Sequence, residues 1–150
     1  MSVATIRTAI ASKIDAVADT ENVKDFVIWT DDWNYIITNM AKDGRINTWM
    51  VGLQAIPEIK VGNGWKETVY IFRVVAYYSI KTSNESSKAF ENIIDNVVND
   101  FSKSKSFLSG TYNDPMLLVA NEAAVYVQQP CHRALLNIRV TEKETQDKLC

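Results

Sequence analysis

Apolar residues recur along the chain with two periods, near 3.6 and near 2, and each change of period marks a new element. Val3, Ile6, Ile10, Ile14 and Val17 follow one another at three- and four-residue steps, which predicts a helix, and Ser2 stands ready to cap it. The stretch from Val23 to Trp29 is short and β-prone. Thr30, Asp31 and Asp32 then make an acidic start for a second helix with the stripe Trp33, Ile36, Ile37 and Met40, ended by Gly44.

A long hairpin follows. Trp49, Val51, Leu53 and Ala55 share one face of its first arm, Pro57 closes that arm, and Gly62-Asn63-Gly64 supplies the turn. The second arm, from about Lys66 to Lys81, is apolar on both sides. Tyr70, Phe72, Val74, Ala76, Tyr78 and Ile80 lie on one face, and Val69, Ile71, Val75 and Tyr77 on the other, interrupted by Arg73. Two apolar faces call for two covers. At ~3.3 Å per residue, roughly thirteen residues of such a strand already span about 43 Å, against a diameter of about 40 Å for a domain of this length. It must bend or project, and a projecting hairpin with apolar sides needs a partner. Trp65 near the tip is its natural anchor.

Thr82 and Glu85 fit a capping box for a third helix with the stripe Phe90, Ile93, Ile94, Val97, Val98 and Phe101. A polar stretch leads to a second hairpin, with arms from Met116 to Val127 and Cys131 to Thr141. In its last arm His132, Ala134, Leu136, Ile138 and Val140 face one way, and Arg133, Asn137 and Arg139 the other. Residues 142–150 read as a polar tail that frays or orders on binding. The expectation is one α+β domain over 1–150: a mostly antiparallel four-stranded sheet of two hairpins, with about three helices on it.

Composition narrows the function. With 47% apolar and 23% charged residues the chain is an ordinary globular one, and 150 residues suit a single domain. The net charge of −2 shows no basic stripe for gripping nucleic acid. No run approaches the ~20 apolar residues of a membrane span, and the first twenty residues do not resemble a secretory signal. Cys131 and Cys150 have no metal or disulfide spacing, so the chain reads as intracellular.

Candidate chemistry is thin. His132 is the one histidine; Cys131 beside it points to the opposite face of a strand, so the two do not form a nucleophile–base pair. Asp31 and Asp32 suit a helix N-terminus. Gly62-Asn63-Gly64 lacks the Lys-Ser/Thr of a phosphate loop. Arg73 either reaches solvent past its neighbours or pairs with a carboxylate on another subunit. No catalytic residue, metal ligand or cofactor is implied, and a building block of an assembly is expected rather than an enzyme.

Several local patterns together resemble the tail terminator (tail completion) and neck proteins of long-tailed bacteriophages. They are Trp29 through Trp33, Ile46-Asn47-Thr48-Trp49, the aromatic strand ending Ala76-Tyr77-Tyr78-Ser79, and His132-Arg133-Ala134-Leu135-Leu136. The resemblance implies a virion protein, assembled in the host cytoplasm, that forms a ring, usually a hexamer, on the head-proximal end of the tail tube. Such a ring stops tube polymerisation, receives the head–tail connector protein, and lets DNA through without reading it. Trp65, Val69, Ile71, Arg73, Val75 and Tyr77 are the interface residues expected on this view. The alternatives are a head–tail joining role or, further off, a small-molecule-binding domain near His132 and Tyr126.

Overall fold

Strand β4 (Trp65–Ser79) is the middle of the fold, because it is apolar on both faces and paired along both edges. In the computed structural model, which describes residues 2–27, 38, 40–42, 45–80, 83–126 and 129–145, β3 (Arg45–Gly62) flanks it on one side. β7 (Gln129–Thr145) flanks it on the other, and both neighbours run antiparallel to it. The register from Trp65↔Thr145 to Ser79↔Cys131 is unbroken, so β4 has a partner over its full length, about 50 Å at ~3.3 Å per residue. The other strands attach outward. β1 (Asn22–Lys24) runs parallel to β3, and β2 (Ala41–Lys42) forms a short antiparallel pair with it. β5 (Thr111–Asn113) and β6 (Leu117–Tyr126) both pair with the far edge of β7.

The expected four-stranded antiparallel sheet with three helices is therefore wrong. The sheet is mixed, has more strands, and curls into a half-barrel; the described residues hold two helices, α1 (Val3–Asp15) and α2 (Ser83–Ser102). β1 and β5 are three residues each, too short to show a period, and β1 finds its partner across the chain rather than next to it. The expected second helix, with Trp33, Ile36 and Ile37, falls largely outside the described residues.

Pro57 does not end the first arm. β3 runs through it to Gly62, with register shifts between Leu53 and Ala55 and between Ala55 and Glu58. Proline lacks a donor and is tolerated at such irregularities and on sheet edges, and here both conditions hold. The first shift carries Ala55 across the sheet, opposite Ile71, while Leu53 stays opposite Phe72. The hairpin is not a free ribbon either. β7 extends to its tip, and residues 142–145, expected in a polar tail, pair with 65–68.

The helices cover one face. Ser2 caps α1 by accepting the Thr5 amide hydrogen at 3.2 Å, and Ile6, Ile10 and Ile14 are fully buried. Phe90, Ile93, Ile94, Val97 and Phe101 of α2 meet Trp49, Val51, Phe72, Val74, Ala134, Leu136, Ile138 and Val140 in the main core. Phe90 is its keystone: it stacks on Tyr78 at 5.3 Å and His132 at 5.9 Å and tilts against Trp49 at 6.1 Å. On the opposite face Met40, Met50 and Val75 make a smaller buried cluster with Tyr77 and Leu135 against it.

The sequence pattern Ile46 to Trp49 fastens the base of the sheet. The Ile46 amide donates to Ser79 Oγ at 2.6 Å, and the Thr48 hydroxyl donates to the Met40 carbonyl. Asn47 Nδ2 reaches the Asp19 carbonyl at 2.7 Å while its Oδ1 accepts the buried Trp49 indole N–H at 2.9 Å. Buried polar groups with partners like these hold β3, β4 and the turn after α1 in one arrangement.

Phe90→Ala should remove about 3–5 kcal/mol of stability, whereas Val98→Ala on the same helix, only partly buried, should remove far less. Urea unfolding followed by circular dichroism measures both.

Candidate interaction surface

The tip of the hairpin is shaped by two glycines. Gly64 turns the chain with φ 78°, a value glycine adopts without steric cost. Gly62 pairs with Trp65, and the indole lies back over it: a Cβ at Gly62 would sit 2.0 Å from the ring. Lys143 of β7 holds its ammonium 5.9 Å from the ring centroid. Trp65 is thus braced and 36% exposed.

The residues expected at an interface divide. Val69 and Val75 are buried within the chain itself, at 4% and 8% exposure. Ile71, Arg73 and Tyr77 are half-buried. Arg73 Nε donates to Asn137 Oδ1 across the β4–β7 pair at 3.1 Å, which ties the guanidinium to an amide of the same chain. Burial raises the Tyr77 hydroxyl above its ordinary value, and the Arg133 charge opposes the rise. Of the expected set only Trp65 offers a substantial open face.

Apart from Phe26, Val27 and Trp65, the large exposed apolar side chains among the described residues lie on the two edges of the sheet. On β3, Leu53, Ile56, Ile59 and Val61 are 39–68% exposed. On the far edge Tyr112 of β5 and Leu117, Leu118 and Val119 of β6 are 45–64% exposed. Both groups stand at the same height. Leu53 and Ile59 lie opposite Phe72 and Thr68 of β4. Tyr112 lies opposite Thr141, itself across from Val69, and Leu117 opposite Asn137, itself across from Arg73. Beyond Leu53 the outer edge of β3 has no strand partner among the described residues, nor have the outer edges of β5 and β6. The run Leu117-Leu118-Val119 was the available sequence signal: three successive apolar residues on a strand cannot all face a core.

The polar base of the sheet holds a cleft of about 280 Å³ lined by Glu21, Arg45, Asn47, Tyr78, Ser79 and Ser86. Within it Arg45 pairs with Glu21 Oε1 at 2.5 Å, and Ser86 Oγ meets His132 Nε2 at 3.1 Å. Burial lowers the His132 pKa, opposed by the Glu91 charge, and the imidazole stacks on Phe90. The neighbouring Cys131 thiol is fully buried and pushed up to about 11, so it is not a thiolate at neutral pH. Among the described residues no group of three or more His, Cys, Asp or Glu side chains could hold a metal ion. No described helix is long and apolar enough to cross a membrane. The side chain of Tyr126 lies outside the described residues.

Near the tip Glu142 is only 2% exposed and accepts the Tyr70 hydroxyl at 3.3 Å. Burial raises its pKa, and Glu144 beside it adds to the rise. A scan of the chain against protein-family models finds no match, and a search of curated proteins finds none either.

The raised Glu142 pKa fixes a sign. The folded state favours the protonated acid, a contribution present below the unfolded carboxyl's range and lost as pH rises through the folded value. Glu142→Gln should therefore gain in Tm over the parent as pH rises, with a larger difference at pH 8 than at pH 3. Thermal melts across pH read this directly; equal gains at both ends would contradict the assignment.

Proposed function

We propose that this protein is a structural component of a long-tailed phage neck: a ring that caps the head-proximal end of the tail tube, stops its polymerisation and receives the head connector. The observation that carries the reading is the placement of open apolar surface on two opposite edges of one sheet at one height. An unlike pair of surfaces on opposite sides of a subunit makes a heterologous contact, and such contacts close into rings when the rotation is right. The aromatic and Ile46–Trp49 patterns supply the family resemblance, and Ile46–Trp49 has an evident structural task in the base network. A copy number near six, a tube-protein partner and DNA passing through the lumen unread belong to the same proposal.

Termination makes a specific demand. A growing tube end is a template until something covers it, as an exposed sheet edge is, so loss of a terminator removes the stop. Phage lacking this protein should yield headless tails of broad length distribution, many longer than those of the parent, in electron micrographs of lysates. Ile59→Asp, at an exposed strand position, should cost about 1 kcal/mol and reproduce the overlong tails. Uniform parental-length tails beside filled heads would move the protein to a joining role, and normal virions would remove the neck reading.

A further inference from the structure

The two apolar edges fix more than the existence of a ring contact. β3, β4, β7 and β6 alternate in direction across the sheet, each antiparallel to the next. With an even number of alternating strands, a copy generated by rotation about an axis lying along them presents its β3 antiparallel to the preceding copy's β6. β5 also runs antiparallel to β7, so it shares that direction. Neither edge needs to reverse or shift by half its length to meet the other, because both apolar groups stand opposite the same stretch of β4.

We propose that the joint between neighbouring copies is a backbone ladder, in which the open edge of β3 in one copy pairs with the open edge of β5 and β6 in the next. This rests on the ring reading above and names its contact. The occupant is a second copy because each edge supplies what the other lacks. Natural sheet edges are normally guarded by charge, proline or a cover, and β6 from Leu117 to Ala124 carries one charge, Glu122, and no proline. β3 holds Pro57, Glu58 and Lys60 among its apolar residues, a partial guard against indiscriminate pairing. At their exposures the four large side chains on either edge present on the order of 400 Å² of apolar surface, a patch of the size that marks contact sites. That is about half of the ~800 Å² each partner contributes to a standard interface, and backbone and flanking polar groups supply the remainder. Pairing β3 with β3 would leave the β5–β6 edge open on both copies; the unlike pairing covers both.

Site-specific cross-linking tests the joint. In a Cys150→Ser background, with Cys131 fully buried, one variant carries Ile59→Cys and another Leu117→Cys. Bis-maleimides of graded length are added to each alone, to their mixture, and to the double variant at high protein concentration. The mixture should give several-fold more dimer than either variant alone, and the double variant should give a ladder of higher oligomers. Val61→Cys with Leu118→Cys is the second pair, used where melting curves show that the first has lost its fold. Self-cross-linking of a single variant at the yield of the mixture would establish like-edge pairing and overturn the proposal. A mixture without dimer in both pairs would overturn it too. The ring reading is judged separately by tail length, so overlong tails without cross-links would retire this joint and leave the terminator role standing.

Discussion

A strand that is apolar on both faces needs a cover on each, and that single constraint on β4 determines most of the architecture. Its two faces require two covers: the helices and the main core on one side, the Met40–Met50–Val75 cluster on the other. Its two edges are taken by β3 and β7 over their length. What β4 leaves unsatisfied is displaced outward, to strands that have a partner on one side only. The open apolar surface of the molecule is thus a by-product of how thoroughly its centre is closed.

Much of this was legible in the sequence, and the failures share a cause. The capped first helix, the stripe of α2 and the alternation from His132 to Val140 are local patterns, and each appears where its period places it. Pro57 misled because proline is costly only where a strand needs its N–H, and whether an edge is open is a property of the whole sheet. The polar run from Glu142 to Thr145 carries no apolar signal, yet it pairs because the hairpin tip offers it a backbone. Two of the expected interface residues are hidden for the same reason. Val69 and Val75 were read as surface awaiting a partner, but segments distant in sequence already bury them. Leu53, Ile56, Ile59 and Val61 could be seen as apolar but not as exposed until the sheet order was known.

The two ends of the sheet have different characters, and the difference suits an assembling part. The base is tied by Asn47, Thr48, Ser79 and Ser86 to turns and helices around it, which fixes the sheet's curl. The upper half carries the side chains left open to solvent, on strands already held in shape by main-chain pairing. Surfaces ordered before contact lose little conformational entropy on binding, so modest apolar edges can suffice for a specific joint.

The pairing of β4 with β7 also governs how the chain must fold. The β3–β4 hairpin closes through a two-residue turn, a local event of microseconds. The other edge of β4 waits for residues that follow α2, β5 and β6, and Trp65 must find Thr145. Closing so long a loop precedes any reward from the contacts it brings, which slows folding. During that interval the most apolar strand of the protein has a bare edge of its own. The same propensity that makes the finished subunit adhesive in two chosen places therefore makes the unfinished one adhesive in a third, and a nascent chain of this design would depend on rapid arrival of β7, or on a chaperone, to stay out of aggregates.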